Sequence, residues 1–190
     1  HTAMNQAQKA FTYVDSFAQE IREITGNRFF LDVYTCSRND RKNGTLERVV
    51  GDTVLLCNYP DQYKKDTKLG FKWLNENGTI SDFDSLNGLF TRLTASVETT
   101  KEIRGLFNSK HTHIFVAAFK AFTESGWKDA EFGKFLEWFV NGGNETEIDG
   151  KTWNMLGVDR STRDVGIVHG KINHLVALME LYAKEIQKVA

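Results

Sequence analysis

The stretch SKHTHIFVAAFKAFTESGWKDAEFGKFLEWFVNGG, residues 109–143, decides how this chain is read. Ile114, Phe115, Ala118, Phe119 and Phe122 recur at steps of three and four, which gathers them on one face of an α-helix. Ser109 stands where it can cap that run, and Ser125-Gly126 ends it. Asp129 is placed to cap a second run carrying Phe132, Phe135, Leu136, Phe139 and Val140, which stops at Gly142-Gly143. A connection this short makes the two helices antiparallel neighbours.

The same spacing extends outward in both directions. Phe11, Val14, Phe17, Ala18, Ile21 and Ile24 predict one long amphipathic helix closed at Thr25-Gly26. Phe29 to Cys36 suits a buried strand or a short helix, and residues 37–44 read as a polar loop. Thr45 opens a short helix through Leu46, Val49 and Val50, and Val54-Leu55-Leu56 either continues it or forms a strand. Asn58-Tyr59-Pro60 stops the run, because the residue before proline avoids helical geometry. Helices are expected over 62–76, from a cap at Asp82 through Leu93, and briefly through Val97 to Phe107. Ile148 to Trp153 contains an Asp-Gly turn signal, the mark of a tiny hairpin or a loop. Thr162 opens the last helix, whose buried stripe runs Val168, Ile172, Leu175, Val176, Met179, Tyr182 and Ile186, with Lys184 and Lys188 at its negative end. The expected architecture is mainly α: a multi-helix bundle, with room for one small β-hairpin or short strand pair, in a single helical domain over 5–190. His1-Thr2-Ala3 reads as a cloning scar.

Composition narrows the class. A single proline leaves the helical runs uninterrupted, and 14 Phe with 4 Trp favour a packed core over disorder. A formal net charge of −1 removes any composition argument for nucleic-acid binding, so a basic surface would have to be a local patch. Cys36 and Cys57, with no CxxC pair, form neither a disulfide scaffold nor a zinc module and read as inert buried thiols. With no stretch of membrane-spanning length and no signal-peptide block, the expected location is cytoplasmic, away from membranes.

Chemistry concentrates in Arg163-Asp164-Val165-Gly166-Ile167-Val168-His169-Gly170. An imidazole titrates near neutral pH and a guanidinium can hold phosphate oxygens bidentately. This octapeptide resembles the arginine-polar-histidine signature of the HEPN superfamily, whose members are all-α and often act as metal-independent ribonucleases. The resemblance implies His169 as acid/base for attack of a ribose 2′-hydroxyl, Arg163 as phosphate ligand, and Asp164 in the polar position after the arginine. It also implies RNA as partner, a cleft often shared across a homodimer, and a toxin or defence setting, with no cofactor or metal. Six positions on an ideal helix turn through about 600°, so the two side chains would diverge by roughly 120° unless the helix begins after Arg163. The alternative is a capping arginine and a half-buried structural histidine. Arg104 and His111 share the motif's loose spacing without the flanking Asp or Gly.

Other candidates have plainer readings beside the functional ones. His111 and His113 form a His-x-His pair whose rings would point to nearly opposite sides of a helix, with no third metal ligand evident. Arg38, Arg41 and Lys42, with Lys64, Lys65 and Lys68, are possible phosphate contacts or a solvated surface. The aromatic hairpin reads as core, with Trp127 and Trp138 the two residues to suspect of an interface. On these grounds the expected function is a non-catalytic helical module that binds another macromolecule or serves a larger assembly. The alternative is a HEPN-like ribonuclease or a degenerate relative.

Overall fold

The computed structural model describes residues 3–186, with side chains through Lys184. Two central helices organise the core: α4 (Thr45–Asn58) and α8 (Thr112–Glu124) pack side by side. Residues 49–56 of α4 and 112–119 of α8 are buried without interruption. A helix apolar around its whole circumference must be enclosed by others, and these two are. On α4 lie α1 (Gln6–Phe11), α2 (Ala18–Thr25), α5 (Thr67–Asn77) and α6 (Ile80–Ser96). On α8 lie α9 (Asp129–Val140) and α10 (Val165–Leu181), with α6 bridging to both α8 and α9. The short α3 (Phe29–Asp32) and α7 (Lys101–Leu106) close the end formed by α6 and α9.

The fold is the expected all-α bundle. Phe29 to Cys36 holds only the single turn of α3, and Val54-Leu55-Leu56 continues α4. The Asp-Gly turn forms with both residues at positive φ, 52° and 78°, but Ile148 and Lys151 make one isolated antiparallel bridge. No strand occurs among the described residues. The first helix is the clearest departure from expectation. It is broken into α1, a 3-10 segment Thr12–Phe17 and α2, with Val14 at φ −114°, ψ 35°. The amide of Ser16 freed by the break donates to the side chain of Asn75 on α5 at 3.0 Å, so a partner from another helix satisfies what the kink releases.

Helix starts differ by a few residues from those read in the sequence. Thr79 caps α6 and Asp82 sits one turn inside, closing a reciprocal capping box and also accepting the Tyr59 hydroxyl at 2.6 Å. Asp129 is the first helical residue of α9, and its carboxylate takes Arg92 of α6 in a two-pronged pair at 2.9 and 2.7 Å. Asp164, not Thr162, caps α10. Val168, Leu175, Met179 and Tyr182 are buried as expected, Ile172 and Val176 are half-buried, and Leu178 joins the core. The Ile186 side chain and Lys188 lie outside the described residues. No described helix is long and apolar enough to cross a membrane.

Close approach of backbones fixes one glycine. A Cβ at Gly133 of α9 would collide with the carbonyl oxygen of Ser96 at the end of α6, whereas one at exposed Gly88 would meet nothing within 4 Å. Gly133→Ala is therefore expected to destabilise the fold by about 1–3 kcal/mol through forced separation of the helices. Gly88→Ala should stabilise it by about 0.5–1 kcal/mol through helix propensity. Urea unfolding of the two variants beside the unmodified chain checks both signs.

Candidate functional site

Burying residues 49–56 of α4 also buries Asp52, a single carboxylate in an apolar run, at 1 % exposure. An isolated buried charge is prohibitively costly, so the fold must bring cations to it. Arg48 arrives from one turn earlier on α4, Nη1 donating to Oδ2 at 3.0 Å and Nη2 to the Ser109 carbonyl at 3.0 Å. Arg163 arrives from the opposite end of the chain. Its Nη1 donates to Oδ2 at 2.6 Å and its Nη2 to Oδ1 at 3.2 Å, a bidentate pair. The same guanidinium donates through Nε to the Lys65 carbonyl at 3.0 Å and through Nη2 to the Lys64 carbonyl at 3.1 Å. Its Cζ lies 5.3 Å from the centre of the Tyr63 ring. Burial pushes the Asp52 carboxyl up, but Arg163 first and Arg48 second pull harder, and the net effect is a lowered pKa.

His113 completes this cluster. It is 2 % exposed, stacks on Tyr63 at 5.7 Å, and neither ring nitrogen has a hydrogen-bond partner among the described residues. Burial drives its pKa down to about 3, Asp52 opposing and the two arginines assisting. Two guanidiniums already answer the one carboxylate, so a third cation has no counter-charge and the imidazole stays neutral.

A second cluster lies at the start of α8. Lys171 of α10, only 8 % exposed, approaches His111 Nε2 to 2.9 Å and hangs 5.4 Å from the centre of the Trp153 ring. An ammonium only donates, so the ring nitrogen of His111 accepts. Burial, then Lys171 and Lys110, lower the His111 pKa to about 4. Burial likewise lowers Lys171 and His174. Trp153 is the hub, its ring 5.9 Å from His111 and 6.4 Å from His174, with Phe115 and Phe139 against its other sides.

The sequence candidates separate accordingly. Arg163 lies two residues before the first helical residue of α10, Val165, because the Asp164 side chain caps the helix by accepting the Ile167 amide at 3.2 Å. Asp164 also pairs with Arg160 at 2.9 Å. His169 is half-buried on α10, and among the described residues no hydrogen bond or ion pair joins it to Arg163 or Asp164. His111 and His113 belong to the two different clusters, and no three metal-ligating side chains converge among the described residues. Cys36 and Cys57 are free thiols, both raised by burial, Cys57 to about 12. The hairpin phenylalanines are core, Trp138 is half-buried against Phe135 and Tyr182, and Trp127 is 37 % exposed on Phe122.

Sequence reasoning did not single out Asp52, Tyr63, Trp153, Lys171 or His174. The signal for Asp52 was present as the one charge inside Val49-Val50-Gly51-Asp52-Thr53-Val54-Leu55-Leu56. The others depend on which helices meet.

Fold and site together define an all-α protein with two buried polar clusters, one charge-paired and one built on a lysine and histidines. No protein-family model, no curated protein and no solved structure matches the chain.

Two outcomes follow from these electrostatics. Asp52→Ala leaves two arginines without their counter-ion and is expected to cost about 3–5 kcal/mol, less any solvent relief at the partly exposed guanidiniums, read as a lower urea midpoint. His111 and His113 are neutral when folded, with pKa values of about 4 and about 3. Unfolded histidines titrate near ~6.5, so as pH falls below that value the unfolded chain binds protons first. Stability is therefore full above neutrality and drains from about pH 6.5 down to about 4 for His111 and about 3 for His113, by up to ~1.4 kcal/mol per pH unit for each histidine. Urea titrations at pH 7.5 and 5.5 should show a smaller difference for His113→Leu than for the unmodified chain.

Proposed function

We infer that this chain is a non-catalytic helical module that binds another macromolecule. The observation behind this reading is the state of Arg163. Its guanidinium makes four hydrogen bonds, two to Asp52 and two to the carbonyls of Lys64 and Lys65. A fork committed in this way ties the 157–164 segment to α4 and has little left to offer a phosphate. The cysteines are high-pKa thiols and the ring nitrogens of His113 are sealed in the core, so neither supplies a ready nucleophile or base.

A metal-independent ribonuclease of the HEPN kind is the second reading, and one observation favours it. Because α10 begins at Val165, the helical rotation that would turn Arg163 away from His169 does not apply across the whole interval. In this reading His169 moves the proton of the ribose 2′-hydroxyl, Arg163 steadies the phosphate after leaving part of its present bonding, and a second copy completes the cleft.

Incubation of a long unstructured RNA with the chain in excess EDTA separates the two. The module reading expects no cleavage by the chain or by His169→Ala, with both shown folded by circular dichroism. Cleavage by the chain that is lost in His169→Ala would overturn it in favour of the ribonuclease, and light scattering on the same samples would then report whether the active species is a dimer.

A further inference from the structure

A net charge of −1 leaves room for a local basic patch. Between α1 with its 3-10 continuation and the start of α5 lies an open groove of ≈570 Å³, lined among others by Lys9, Tyr13, Lys65, Asp66, Lys68 and Arg163. Lys9, Lys65, Lys68 and the neighbouring Lys72 are exposed, and none of them is in a salt bridge among the described residues. Instead the Lys68 and Lys72 ammoniums hover 5.2 and 4.8 Å from the centre of the Tyr13 ring, a weak compensation for two like charges held together. Asp66 is the one acid lining the groove, and its carboxylate is engaged in accepting the Lys68 amide at 3.0 Å. Gln6, Thr12 and Thr67 add neutral hydrogen-bonding groups to the same walls. Lys9 of α1, Lys65 just before α5 and Lys68 of α5 thus line one concavity, with Lys72 of α5 beside it over the Tyr13 ring.

We propose that this groove is a binding site for single-stranded nucleic acid, with phosphates on Lys9, Lys65, Lys68 and Lys72 and a base against Tyr13. The proposal rests on the reading of the chain as a macromolecule-binding module and names the class of its partner. A polyanion is what a cluster of uncompensated ammoniums attracts, and phosphate contacts of this kind release counter-ions. Three of the cations line a recess, and a flexible single strand follows such a concave surface more closely than a rigid duplex. The tyrosine ring in the lining favours a nucleic acid over an acidic peptide, because every base carries a π-face that stacks without regard to sequence.

The experiment is fluorescence anisotropy of a labelled twelve-nucleotide oligouridine, and of its DNA counterpart, with the full chain across a range of KCl. Four phosphate contacts on a single strand predict a log–log salt slope of about −3. Lys65→Glu/Lys68→Glu, confined to exposed positions, should weaken binding at least tenfold at low salt and flatten the slope by about 1.4. Tyr13→Leu should weaken it by about fivefold or more and leave the slope unchanged, and Lys134→Glu on α9 should change nothing. No binding by folded protein at low salt, equal binding by the double variant, or equal competition by polyglutamate would each overturn the proposal, the last in favour of an acidic peptide. RNA cleavage in EDTA sinks the non-catalytic reading while leaving this site to stand on its anisotropy, whereas absence of both cleavage and binding sinks only the site.

Discussion

One carboxylate constrains the rest of the molecule. Asp52 sits in the middle of α4, the helix that α1, α2, α5 and α6 pack against, and it is shielded from water. Leaving it unpaired would outweigh much of the stability of an ordinary domain, so the chain must return a cation to that point. Arg48 does so locally, four residues away on the same helix. Arg163 does so from 111 residues downstream, and in reaching Asp52 it also ties the Lys64 and Lys65 carbonyls to the entrance of α10. A single guanidinium thereby joins the first half of the chain, the segment before α5 and the last helix. Such a pair need not add net stability over an apolar replacement; its effect is to make one arrangement of these elements acceptable and alternatives costly.

A second tether holds α10 further along. Lys171 reaches His111 at the entrance of α8 and lies over Trp153. Among the described residues no carboxylate pairs with this ammonium, and the compensation is an imidazole nitrogen together with an aromatic face. The two clusters differ in a way that matters for chemistry. The Asp52 cluster pairs a buried carboxylate with two partly exposed guanidiniums, whereas the Lys171 cluster combines three groups whose protonated forms are all disfavoured by burial. Both meet α8 within three residues of each other, at His111 and His113, so the start of that helix is where the buried electrostatics of the protein converge.

How much of this could be read beforehand differs by element. The helices α8 and α9 were legible because their apolar residues recur at helical spacing over three turns or more, and short Gly-containing segments bound them. α4 was read only in part, since a helix buried on all sides has no polar face and its run of Val and Leu looks the same as a strand. The break at Val14 was invisible: the pattern Phe11, Val14, Phe17 continues through it, and the group that rescues the freed amide, Asn75, belongs to a different helix. Asp129, read as a cap, is instead the first residue of α9 with its carboxylate on Arg92 of α6. Of the candidate site, Arg163 and Asp164 stood out as sequence features, but Asp52, the residue Arg163 bonds, did not. Its partner lies where no local window can see it.

By itself the amino-acid sequence determined the class of the fold, the order of its main helices, and the need for any basic surface to be local. These follow from periodicity and charge count, which are properties of neighbouring residues and of totals. Only the tertiary structure decided that Arg163 answers a buried aspartate, that His111 and His113 serve separate clusters, and that lysines from α1 and α5 face one groove. Those outcomes depend on which helix surfaces are pressed together, and burial turns a side chain that is unremarkable along the chain into one that must find a partner across it.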